Sequence, residues 1–197
     1  MKSINLKVGN PYFGQHYFDR AIKAVVARDL VSTYPAPLGE PALIEAVEGF
    51  YSKLGVAGAN VLVMSGALDG LRRYMSLLKR QSPQQVHRLV INDIDYHGFN
   101  VMARDEGYAV SRVDLWTITD LNPFRGAVLI ATTLSNPTGR VLSRERIAEL
   151  HAMCRAGGVT LLVDGAYSHL LENDFAVLDG VVELRTFSKM GDRKSVV

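Results

Sequence analysis

Six short runs of β-branched and apolar residues recur along this chain: 61–64, 88–92, 109–113, 127–133, 160–163 and 181–185. Between them lie stretches with apolar residues at helical spacing. Short, fully apolar runs read as strands buried on both faces, and their alternation with helices predicts a parallel sheet between helical layers. The fold class expected is therefore α/β, a mostly parallel sheet flanked by helices. Ligands of such sheets sit beyond the carboxyl ends of the strands. The residues that follow each run are thus the first place to look for chemistry.

The helices can be placed from their stripes and stops. Leu43, Val47, Phe50 and Leu54 mark one after Pro41, with Gly55 as its stop. Leu68, Leu71, Met75 and Leu78 mark the next. A third follows Phe99 and ends near Gly107. A fourth is capped by Ser143, buries Ile147, Leu150 and Cys154, and stops at Gly157-Gly158. Residues 1–40 read as an N-terminal arm and part of a small lobe, with Ile22, Val25 and Val26 at helical spacing and a stiff Tyr34-Pro35-Ala36-Pro37 connector. Residues 41–197 read as the larger, sheet-containing domain.

Three strand ends carry the reactive residues. Ser135-Asn136-Pro137-Thr138-Gly139 follows the run at 127–133, Asp164-Gly165-Ala166-Tyr167 the run at 160–163, and Thr186-Phe187-Ser188-Lys189 the run at 181–185. Ser65-Gly66-Ala67 forms a strand-to-helix turn of the kind that offers N–H groups to a phosphate. Each residue alone has an ordinary reading: Lys189 as a surface lysine, Asp164 as a helix cap, Asn136-Pro137 as a turn, Tyr96 and Tyr167 as core aromatics. Together they match the needs of one cofactor type, a pyridine aldehyde with a phosphate. Such a group takes an amine for its aldehyde and a carboxylate for its ring nitrogen. Its phenolate takes hydrogen-bond donors, its ring an aromatic neighbour, and its phosphate amides and hydroxyls.

Composition narrows the alternatives. Twenty-two basic and twenty acidic residues leave a net charge of +2, which favours neither nucleic acid nor an anionic membrane as partner. One cysteine, Cys154, allows no internal disulfide framework, and no apolar run reaches membrane-spanning length. A cytoplasmic protein is expected. His151 and Cys154 lie one helical turn apart without further paired ligands, so no metal site is expected.

In these motifs, from about Gly9 to Lys189, the chain resembles the class I/II aminotransferases, pyridoxal-phosphate enzymes of fold type I. The resemblance implies an amino-group transfer from an amino acid to a 2-oxo acid through a Schiff base on Lys189. A lyase, decarboxylase or cyclase of the same fold, or an inactive remnant, is the alternative. Asp164 would pair with the pyridinium nitrogen, Asn136 and Tyr167 with the phenolate oxygen, and Tyr96 would stack on the ring. The Gly66 and Ala67 amides and the Thr186 and Ser188 hydroxyls would hold the phosphate. Tyr34 would reach the phosphate of a second subunit, since the family forms homodimers. Gly9-Asn10-Pro11 would lie near the substrate, and the Asn136-Pro137 bond would be cis. Leu68, Ile94 and the Met190–Val197 segment depart from the family pattern. Family members are nearly twice as long, and their last sheet strand pairs between those at 61–64 and 181–185. The implied state is a fragment, a chain completed by a partner, or a sheet closed in another way.

Overall fold

The computed structural model describes residues 23–24, 26–27, 34, 36–53, 55, 60–84, 87–171 and 180–189. The Gly9-Asn10-Pro11 segment, Ile22, Val25, Leu54 and everything after Lys189 lie outside these residues. So does most of the expected small lobe.

Five strands build one parallel sheet: β1 (Arg88–Asn92), β2 (Ala109–Val113), β3 (Val128–Thr132), β4 (Thr160–Asp164) and β5 (Val182–Leu184), in the order β2-β1-β3-β4-β5. The central strand β3 is apolar up to its final Thr132 and is buried along its whole length. Helices α1 (Pro41–Lys53) and α2 (Ala67–Gln81) precede β1, while α3 (His97–Glu106) joins β1 to β2 and α4 (Arg144–Gly157) joins β3 to β4.

The period-2 geometry of strands sorts the core into two layers. Leu89, Ile91, Val128, Ile130 and Leu162 face α2 and α3, where they meet Leu71, Met75, Phe99 and Met102. Val90, Leu129, Ala131, Leu161 and Val163 face α4, meeting Ile147, Leu150 and Cys154. Helices cover both sides, as the sequence predicts. Tyr108 ties the first layer together, donating its buried hydroxyl to the Met75 carbonyl at 2.7 Å.

Local signals explain the helix ends. Ser143 caps α4 by accepting from the Arg146 N–H at 3.2 Å, and Gly158 ends it with φ +66°. Gly107 ends α3 in the left-handed region, at φ +73°.

Three expectations fail. Val61–Met64 is irregular chain, not a strand. A strand needs a ladder of partners, and among the described residues only the Val63 N–H finds one, the Leu38 carbonyl at 3.2 Å. Helix α1 forms where expected but buries none of its residues, leaving Leu43 and Phe50 exposed. The stripe of α2 also starts one turn late, because Leu68 points outward while Leu71 and Met75 are fully buried.

Candidate active site

In this strand order the chain leaves β1 in opposite directions, to β2 on one side and β3 on the other. Crevices open at such switch points. Strands β1 and β3 pair at Leu89–Val128 and Val90–Leu129, ahead of their carboxyl ends. Helices α2 and α3 both begin at this rim, so two positive helix ends face it.

Asp164 is the last residue of β4 and pairs in register with Thr132, the last of β3. Register partners in parallel strands project to the same side, here the side of α2 and α3. The Asp164 side chain is buried and accepts from the Ala166 N–H at 3.0 Å, which folds the Asp164–Tyr167 turn. Burial pushes its carboxyl from 3.8 up to about 6; the Ala166 N–H pulls it back, and Asp95 adds to the rise. Among the described residues no cation pairs with it. A buried carboxylate without a cation is costly. A protonated ring nitrogen is the kind of ligand that offsets that cost, so this donor set fits a pyridinium.

Lys189 ends a 3₁₀ turn, Phe187–Lys189, directly after β5. It is half-buried, and its Nζ lies 5.6 Å from the centre of the Tyr167 ring. His169 donates from Nε2 to the Lys189 carbonyl, tying the lysine's backbone to the turn that follows β4. The amine therefore lies by the phenol, against the turn that Asp164 opens. Thr186 is half-buried beside it, and Ser188 lies in the same turn.

Asn136 stands in a closed turn in which Gly139 N–H donates to the Ser135 carbonyl and Ser135 N–H to the Arg140 carbonyl, each at 2.8 Å. The Asn136-Pro137 bond is cis, as the resemblance implies. Beyond the turn, Arg140 stacks 3.7 Å over the ring of Trp116, whose Nε1 donates to the Val141 carbonyl at 3.0 Å.

Tyr96 precedes α3, and its ring lies against Gly98, where an added Cβ would fall 2.3 Å from a ring carbon. Gly66 precedes α2 with φ +98° and open space where its side chain would be. Asp69, in the first turn of α2, accepts from the Ser65 N–H at 3.2 Å. The Gly66 and Ala67 amides stand at that helix start, where backbone N–H groups are available to an anion. Tyr34 is fully exposed and far from burial in this single chain.

Three groups escape a reading by motif. Asp95, in the loop after β1, lies across the switch point from β3: Thr132 Oγ1 donates to its carboxylate, 3.2 Å from Oδ1 and 3.4 Å from Oδ2. Glu183 and Arg185 form a buried pair at 2.8 Å around β5. Glu183 Oε1 fills the space beside Gly165, 2.5 Å from where a Cβ would stand. His169 is the third. A polar, titratable residue within a few positions of a strand's carboxyl end is the only sequence signal all three share.

The family of class I and II aminotransferases matches residues 1–191. A probable aminotransferase of Mycobacterium tuberculosis is 30% identical over 149 residues, covering 74% of this chain and 34% of its own length. The histidinol-phosphate aminotransferase of Haloferax volcanii is 31% identical over 185 residues, covering 86% of this chain and 49% of its own. The chain thus spans a third to a half of the length of these curated relatives. Among solved structures, an Escherichia coli protein described as having a methionine aminotransferase function superposes with a TM-score of 0.78 at 21% identity. That match covers 95% of this chain and 54% of the other. The aminotransferase AspB of Helicobacter pylori gives 0.78 at 18% identity, over 93% of this chain and 55% of its own. Sheet order, strand-end residues and these matches agree: the chain belongs to the class I and II aminotransferase family.

Proposed function

We propose that this chain is the cofactor-gripping part of a pyridoxal-phosphate-dependent aminotransferase that moves an amino group from an amino acid to a 2-oxo acid. The observation that carries the reading is a buried carboxyl, Asp164, with no cation paired to it among the described residues, at the same rim as the half-buried amine of Lys189. When bound, the cofactor supplies an aldehyde for an amine and a ring that takes up electrons from a substrate carbanion.

The chain's own residues do the rest. The Lys189 Nζ would take the aldehyde, with water as the leaving group, and as a free amine would accept the proton of the substrate Cα as a general base. Tyr167, beside that amine, and Asn136 would donate to the phenolate oxygen. Asp164 would keep a proton on the ring nitrogen by presenting an anion to it. Tyr96 would stack on the ring. The Gly66 and Ala67 amides, with the Thr186 and Ser188 hydroxyls, would hold the phosphate. A homodimer in which the exposed Tyr34 reaches the phosphate site of a second subunit completes the reading. A cytoplasmic setting suits a single, buried, reduced thiol at Cys154. Among the described residues no helix is long and apolar enough to cross a membrane.

The test is an absorption titration of the protein with pyridoxal phosphate. A visible band should appear in the wild type and be lost in Lys189→Ala. Its absence from folded wild-type protein overturns the reading. Amino-acid-dependent formation of a 2-oxo acid without ammonia release separates transfer from elimination.

A further inference from the structure

Asp95, in the loop after β1, and Asp164, at the end of β4, lie on opposite sides of the switch point, yet they are joined through one residue. Thr132 binds the Asp95 carboxylate by its hydroxyl and pairs in register with Asp164. Period-2 geometry puts the Thr132 and Asp164 side chains on the same face of the sheet. The Asp95 carboxylate is fixed from a second direction, since Tyr96 N–H donates to Oδ1 at 2.8 Å. Asp95 therefore cannot swing into solvent without losing both bonds. Its backbone neighbour is Tyr96, the ring proposed to lie along the cofactor.

We propose that Asp95 is a positioning residue acting through Asp164, a second carboxylate that favours a protonated over a neutral ring nitrogen at this rim. The proposal rests on the pyridoxal-phosphate reading above. Two neighbouring carboxyls in a partly buried place do not both ionise cheaply. A cation brought to Asp164 relieves that conflict, and the relief is greater with two anions than with one. The resulting preference is for the protonated ring, the form that withdraws electrons from a substrate.

After β5, Lys189 brings an amine to the same rim, its Nζ 5.6 Å from the centre of the Tyr167 ring. Arg112 on β2 is the cation acting on Asp95, and it is held by the Asn92 and Asp93 carbonyls and by Asn100. On α2, Asp69 is paired with Arg73. Around β5, Glu183 is paired with Arg185. Burial raises the Asp95 carboxyl as well, while Tyr96, Thr132 and Arg112 pull it back.

The experiment compares wild type with the near-isosteric Asp95→Asn in two titrations. In the cofactor-free chain, carbon-13 NMR of labelled aspartate follows the Asp164 carboxyl. Its midpoint should fall by about one pH unit when the neighbouring charge is removed. With pyridoxal phosphate labelled at the ring nitrogen, nitrogen-15 NMR should show the wild type keeping the ring protonated to higher pH than the variant does. Thr132→Val should move both midpoints in the same direction, and Thr132→Ser should restore them, which a purely structural role for Asp95 would not produce. Unchanged midpoints in Asp95→Asn overturn the inference while leaving the cofactor reading intact. No visible band with wild-type protein overturns the cofactor reading and this inference with it. If Asp95→Asn does not fold, the Thr132 pair decides by the same criterion.

Discussion

Replacing Gly165 by alanine adds one methyl group to the turn between Asp164 and Tyr167, and the structure says where it goes. The new Cβ would stand 2.5 Å from Glu183 Oε1, 2.9 Å from Ser168 Oγ and 3.3 Å from Arg185 Cγ. Real Cβ contacts do not occur at the first two distances, so a neighbour must move. Ser168 is fully buried and bonded to Thr133 at 3.0 Å, which leaves it little freedom. Glu183 is the neighbour that gives way, and it is held at 2.8 Å by Arg185 with only 4% of its side chain exposed. Overpacking of this kind costs about 1–3 kcal/mol. If the Glu183–Arg185 pair separates inside the protein, the cost rises toward roughly 3–5 kcal/mol. Urea unfolding followed by circular dichroism should place Gly165→Ala in this range. The same substitution made on a Glu183→Ala background should cost about 1 kcal/mol or more less, because the obstructing carboxylate is gone. A cost below about 0.5 kcal/mol, or an equal cost on both backgrounds, would refute the argument that Glu183 occupies the space of a side chain.

Asp164 makes stability depend on pH in the cofactor-free chain. Its folded carboxyl titrates at about 6, above the ordinary 3.8, so its proton favours the fold. That contribution is complete below about pH 4 and is lost as pH rises through 6, worth about 3 kcal/mol in all. Asp164→Asn should show no such loss, and equal pH profiles for the two proteins would exclude the burial. Ser143→Ala should cost about 1 kcal/mol through the lost α4 cap, read as a lower urea midpoint. Cys154 is buried, with its thiol pushed up to about 12, so a disulfide reagent at pH 8 should label it only as fast as the protein opens. Rapid labelling in native buffer would contradict its place under α4.

The sheet was readable because its signals are local. Val128–Ala131 and Leu161–Val163 are apolar runs, and Ser143, Gly107 and Gly158 punctuate the helices that connect successive strands. Val61–Met64 has the same composition without being a strand, since pairing depends on a neighbour that composition does not reveal. Helix α1 shows the converse: a good stripe guarantees an amphipathic helix, not something to bury it against. At the candidate site, residues inside recurring motifs, such as Asp164 and Lys189, were legible. Asp95 and Glu183 were not. Their importance comes from facing another loop or strand across the sheet, as Asp95 faces Thr132 and Glu183 faces Gly165. Those juxtapositions exist only once the strand order is known.

The lone tryptophan has a use that its burial alone would not suggest. Its indole is sandwiched by the guanidinium of Arg140 and pinned to the Val141 carbonyl, at the far end of the loop that presents Asn136. With a single indole in the chain, all tryptophan emission originates at that clamp. Any molecule that tightens or pulls the Asn136 loop would alter the stacking of guanidinium on indole and so change colour or brightness. The fold thereby carries its own optical gauge of ligand arrival, with no dye attached.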